Sequence, residues 1–83
     1  MHMPMNGQLE ISERVVVSPA AGSFTALVAD GTEVHVDQVI GEVRTGSDVV
    51  HVSTPFAGRL VAMVAWNGER VHAFQRLAWL RAA

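Results

Sequence analysis

Two stretches, SPAAGSFTALVADGTEVHVDQVIGEVR from Ser18 to Arg44 and TPFAGRLVAMVAWNGERVHAFQRLAWLR from Thr54 to Arg81, are variants of one another. Pro19/Pro55, Gly22/Gly58, Ala26/Ala62, Val28/Val64 and Ala29/Ala65 match at a spacing of 36. One extra residue in the second loop moves the spacing to 37, after which Gly31/Gly68, Val34/Val71, His35/His72, Gln38/Gln75 and Arg44/Arg81 align. Chance agreement among common residues such as valine and alanine does not produce this ordered series. One supersecondary unit is therefore used twice, in half-repeats of about 14–44 and 49–81.

Each unit reads as strands. Residues 14–17, 23–28, 39–44, 49–54, 59–64 and 77–81 are rich in β-branched or apolar residues and are bounded by Gly, Pro, Asn or Asp. Alternation is clear in Ser23-Phe24-Thr25-Ala26-Leu27 and only partial in Gln75–Leu80, which predicts strands buried on both faces. No window sustains a helical i, i+3, i+4, i+7 pattern for three turns, so the fold class is all-β. Short strands spaced by turns suit a small sandwich or barrel, with the two halves related by a pseudo-two-fold axis. Both halves share two turn signals. These are the Pro-x-x-Gly steps, Pro19 to Gly22 and Pro55 to Gly58, and the pairs ending in Gly31 and Gly68. All these residues are structural candidates before they are chemical ones.

With 83 residues the chain has room for one small domain: an expected flexible tail over 1–12 and a domain over 13–83. A net charge of −2 gives no electrostatic case for nucleic acid or an anionic membrane. Cysteine is absent, which excludes disulfides, thiolate nucleophiles and Cys-based zinc sites and favours a cytoplasmic location. The N-terminus lacks the pattern of a signal peptide, and no apolar run reaches the ~20 residues of a membrane helix. All six basic Lys/Arg positions are arginine, so the chain has no lysine.

The paired Pro-x-x-Gly steps, the Gly-x-x-Val-x-x-x-Gln pieces and the hairpin between them resemble the biotinyl/lipoyl attachment domain. The resemblance covers about Arg14 to Arg81. It implies a flattened eight-stranded barrel-sandwich of two four-stranded sheets. In that family the central hairpin carries a lysine, acylated by biotin or lipoate, eleven residues before the glycine of the second Pro-x-x-Gly step. Counting back from Gly58 reaches Ser47, inside the tip Thr45-Gly46-Ser47-Asp48. Biotin carriers read Ala-Met-Lys-Met at this tip and lipoyl domains usually read Asp-Lys-Ala. A serine hydroxyl does not replace an amine in amide formation, and no lysine stands elsewhere to rescue a shifted register. Biotin and lipoate are therefore excluded as cofactors by the family route.

The resemblance then implies a non-catalytic, carrier-like accessory or interaction subunit, associated with a biotin-dependent acyl-CoA carboxylase such as acetyl-CoA carboxylase. Its protein contacts are expected at the hairpin, through Arg44, the tip and His51, and at Trp66. Two alternatives stay open: a carrier with a different group on Ser47, or a self-assembling structural domain that pairs strand edges into a homo-oligomer.

Ser47, Asp48 and His51 invite comparison with a nucleophilic relay. On one strand, however, positions 47 and 51 stand about 13 Å apart at ~3.3 Å per residue. His35, His51 and His72 lack metal-ligand spacing, so no metal is expected, and each reads as a partly buried polar residue. Trp66, aligned with Asp30, is expected to fold over a barrel end, and Trp79 to lie in the core.

Overall fold

Backbone hydrogen-bond demand and the alternating apolar pattern drive this sequence into strands. The computed structural model describes residues 13–82, so the expected tail over 1–12 lies outside the described residues. Eight strands form in chain order: β1 (Glu13–Val17), β2 (Gly22–Ala26), β3 (Glu33–Val34), β4 (Val39–Thr45), β5 (Asp48–Ser53), β6 (Gly58–Met63), β7 (Arg70–Val71) and β8 (Arg76–Ala82). They make two four-stranded sheets, ordered β1-β8-β6-β3 and β5-β4-β2-β7, with every pairing antiparallel. The chain is thus an all-β sandwich, as its sequence predicts. β3 and β7 lie outside the six predicted stretches, because two residues between turns offer no alternation to read.

The two sheets bury their inner faces against each other. Val16, Leu60, Leu77 and Leu80 come from the first sheet and Phe24, Ile40, Val43 and Val52 from the second, all within 3% of full burial. The partial alternation of β8 has a different cause from the one its sequence suggests. Pairing of β8 with β1 steps from Arg76–Val17 to Ala78–Val16, and pairing of β4 with β5 steps from Val39–Ser53 to Gly41–Val52. Leu77 and Ile40 are the extra residues of β-bulges, which let successive residues, Leu77-Ala78 and Ile40-Gly41, both be buried. Neither strand needs to be covered on both faces.

A third bulge relocates the extra residue of the second half. Gly31 N–H donates to the Leu60 carbonyl and Gly68 N–H to the Phe24 carbonyl, both at 2.7 Å, so Phe24 corresponds to Leu60. Asn67 Oδ1 accepts from Ala26 N–H at 2.7 Å and Asp30 Oδ1 accepts from Met63 N–H at 2.9 Å, so Ala26 corresponds to Met63, not Ala62. The insertion is Val61, unpaired in the register between Leu60–Leu80 and Ala62–Trp79. It lies in β6 rather than in the following loop, and the matches Ala26/Ala62, Val28/Val64 and Ala29/Ala65 are coincidental.

The Pro-x-x-Gly steps end where two backbones meet. A Cβ on Gly22 would run into the Arg44 carbonyl oxygen, and one on Gly58 into that of Arg81. Upstream, the fully buried hydroxyls of Ser18 and Thr54 donate to the carbonyls of Ala20 and Phe56 at 2.6 and 2.8 Å, which satisfies them without water. Gly22→Ala or Gly58→Ala must push a carbonyl out of a sheet and should cost about 2–3 kcal/mol, a melting-temperature drop of roughly 10–20 °C. Gly31→Ala, where an added Cβ meets nothing within 4 Å, should cost only its positive φ, about 1–2 kcal/mol. Thermal unfolding that ranks the three equally would contradict this account.

Candidate functional site

The β4–β5 hairpin holds six of the candidate residues. Its last pair is Thr45–Asp48, so the loop is the two residues Gly46 and Ser47. Gly46 has φ 62° and is the loop's single positive-φ residue, the pattern of a type II′ turn with glycine at its first central position. The twist of that turn matches the strands it joins. Gly46, Ser47 and Asp48 are exposed and Thr45 is half-buried. Among the described residues no side-chain hydrogen bond or ion pair ties Ser47 or Asp48 down.

Arg44 and His51 are exposed on the two strands below the tip, where His51 lies opposite Glu42 and Arg44 opposite Val49. No hydrogen bond joins Ser47, Asp48 and His51. The relay geometry required for nucleophilic catalysis is not assembled there.

The histidines differ from expectation. His35, His51 and His72 are all exposed rather than partly buried. What the shared His-x-x-Gln pattern encodes is a turn closed on itself. Gln38 and Gln75 Oε1 accept from the His35 and His72 N–H groups at 2.9 and 3.1 Å, while each glutamine N–H donates back to the histidine carbonyl at 3.1 Å. In both halves the glutamine side chain closes the turn on the histidine backbone, and in the second half the His72 ring Nδ1 also lies 3.1 Å from the Ala73 carbonyl. Among the described residues no group of three or more His, Cys, Asp or Glu is placed to hold a metal ion.

Trp66 does not fold over the end of the barrel. It is 69% exposed, on a turn where its N–H donates to Glu69 Oε1 at 3.0 Å. The Val61 bulge makes Ala29, not Asp30, its counterpart: Thr32 N–H bonds the Ala29 carbonyl as Glu69 N–H bonds that of Trp66. Trp79 is half-buried instead of in the core, because Ala78 and Leu80 take the inward positions of β8 and leave it facing outward between Val15 and Ala62.

A groove of about 370 Å³, unpredicted from the sequence, lies between the two Pro-x-x-Gly turns. Pro19 and Pro55 line it together with Val17, Ser53, Phe56 and Phe74. Phe74 is 79% exposed and sits at φ 68°, and its counterpart Asp37 sits at φ 71°. Both are locked there by N–H bonds of 2.7 Å to the Ser18 and Thr54 carbonyls. An exposed phenylalanine in a left-handed conformation is strained where aspartate is tolerated. The signal in the sequence was the Asp37/Phe74 mismatch between the halves.

Among solved structures, the crystal structure of the Kluyveromyces lactis urea carboxylase is similar to this chain, with a TM-score of 0.76 and 19% identity over 82% of its length. The match occupies 6% of the urea carboxylase chain, so the likeness concerns the fold of one small part of it. A scan against protein-family models gives no match, and a search of curated proteins gives none. What the two share is the all-β fold, here two four-stranded antiparallel sheets, which is the architecture that the resemblance implies.

Phe74→Asn should relieve the left-handed strain with little burial lost and raise stability by about 0.5–1 kcal/mol. Urea unfolding checks this. A lower midpoint would mean that contacts of the ring inside the groove outweigh the strain.

Proposed function

We propose that this chain is a carrier-like domain of the biotinyl/lipoyl type that bears no prosthetic group. It acts as a non-catalytic accessory or interaction subunit beside a biotin-dependent acyl-CoA carboxylase. One observation carries this reading: the exposed tip of the β4–β5 hairpin is a Gly46-Ser47 turn, in a chain without lysine, where the resembled carriers hold their acylated amine. The scaffold that presents an arm is kept, and the nucleophile that would load it is gone. The urea carboxylase neighbour supports a carboxylase as the partner, since a stretch of that enzyme has this fold. Contact runs through the exposed hairpin residues Arg44, Gly46, Ser47, Asp48 and His51, and through Trp66. A cytoplasmic location follows from that partner.

Affinity capture from the native host tests the proposal, with proteomics on the partners and intact-mass analysis of the bait. Carboxylase subunits captured by a bait of unmodified mass are the expected result. A group added at Ser47 would make the chain a carrier by other chemistry, and capture without carboxylase subunits would overturn the partner. Ser47→Glu combined with Asp48→Lys, which keeps Gly46 and hence the turn, should lower capture about fivefold and leave the melting temperature unchanged. Undiminished capture would remove the tip from the interface.

A further inference from the structure

The outer face of the second sheet carries an unneutralised row of charge. Arg44 on β4 lies directly opposite Ser23 on β2, and Ser23 lies opposite Arg70 on β7. Residues directly opposite share a face. Their neighbours Val43, Phe24 and Val71 are buried, so the row faces outward. At a strand spacing of ~4.8 Å, the two arginine Cα atoms stand about 10 Å apart with the serine between them.

The corresponding row of the first sheet shows what such a placement ordinarily requires. There Glu13, Arg81, Arg59 and Glu33 lie opposite one another in turn. Each arginine is held by a glutamate, Arg59 to Glu33 at 3.1 Å and Arg81 to Glu13 at 3.0 Å. Across the other row these positions read Val49, Arg44, Ser23 and Arg70, with no carboxylate among them. Neither Arg44 nor Arg70 makes an ion pair with any described residue, and no described group takes up the Ser23 hydroxyl. The adjacent row, His51, Glu42 and Thr25, contains one carboxylate, and it pairs with neither guanidinium. Two free guanidiniums therefore stand on a chain whose net charge is −2.

We infer that Arg44, Ser23 and Arg70 form a recognition row for the carboxylates of an acidic segment on a partner protein. The guanidinium fork matches a carboxylate with two parallel hydrogen bonds, and the half-buried Ser23 hydroxyl donates a third between the arginines. The row is a flat sheet face rather than a pocket. A small anion there would stay hydrated, whereas a protein segment brings its own surface to exclude water. The row begins one residue from the hairpin tip and ends at β7, which follows directly on the Trp66 turn. It thus runs between the two chain segments that hold the contact regions of the proposed function. The inference deepens that partner-binding reading and names its chemistry.

The test is a ¹⁵N chemical-shift titration of the full chain with acetyl-hexaglutamate amide at low salt, run beside inorganic phosphate at equal ionic strength. Saturable shifts centred on Ser23, Arg44 and Arg70, and absent around Arg59 and Arg81, are the expected result. Arg44→Gln and Arg70→Gln should each weaken binding roughly 2–5-fold, and raising salt to physiological strength should weaken it further. Arg70→Lys, which keeps charge and loses the fork, should fall between wild type and Arg70→Gln. No saturable shift, equal shifts at the glutamate-paired arginines, or saturation by phosphate and not by the peptide would each overturn the inference. The titration involves no carboxylase, so its failure leaves the proposed partner standing, and failed capture leaves the row standing.

Discussion

Two points of backbone contact hold the rest of this fold in place: Gly22 against the Arg44 carbonyl and Gly58 against that of Arg81. Each lies where a Pro-x-x-Gly turn delivers the chain into a sheet interior. With no Cβ in the way, β2 joins β4 and β6 joins β8 at the registers that turn Phe24 and Leu60 inward. From there the bonds are reciprocal. The turn after β6 closes on β2 through Gly68 and Asn67, and the turn after β2 closes on β6 through Gly31 and Asp30. Each half thus completes hydrogen bonds that the other leaves open. A small domain buries a modest share of its surface, and this exchange ties its two halves into one cooperative unit.

The fold was legible in the sequence to the extent that its signals are local. Proline, glycine and β-branched runs marked six strands and the repeated turns, and the resemblance supplied the remaining pair. Bulges were not legible, because a bulge looks like an ordinary residue until its register is known. That is why Leu77-Ala78 read as a doubly buried strand and Val61 as a loop insertion. The error passed to the site: a slip of one residue paired Trp66 with Asp30 and hid its exposed place on the turn. His35 and His72 misled in another way, since the feature the halves share there is a backbone turn closed by glutamine. The hairpin tip was readable because family spacing counts from a glycine that the backbone contact makes indispensable.

Equal backbones make the differences between the halves informative. Where a position differs while its backbone hydrogen bonds do not, the fold has not dictated the choice. Phe74 occupies the strained turn position that Asp37 fills in the first half. Arg70 and Ser23 stand where Glu33 and Arg59 form an ion pair. Trp66 stands where Ala29 does. Each difference places an exposed side chain of the kind enriched in binding surfaces, and none improves the core. In these pairs, stability is carried by what the halves share, and what they do not share is left to the surface.

The persistence of the central hairpin needs the same separation. Whatever its tip does, the hairpin is not free to disappear, because Val43 on β4 and Val52 on β5 are fully buried in the inter-sheet core. Removing the hairpin would open that core, at a cost of about 2–5 kcal/mol for each large side chain lost. Its length therefore says little about function. Functional information lies with the residues beyond the core's reach: Arg44, the tip from Gly46 to Asp48, and His51. There the Gly-Ser turn satisfies the twist of its strands without strain, which leaves the side chains of the tip free to vary as a surface.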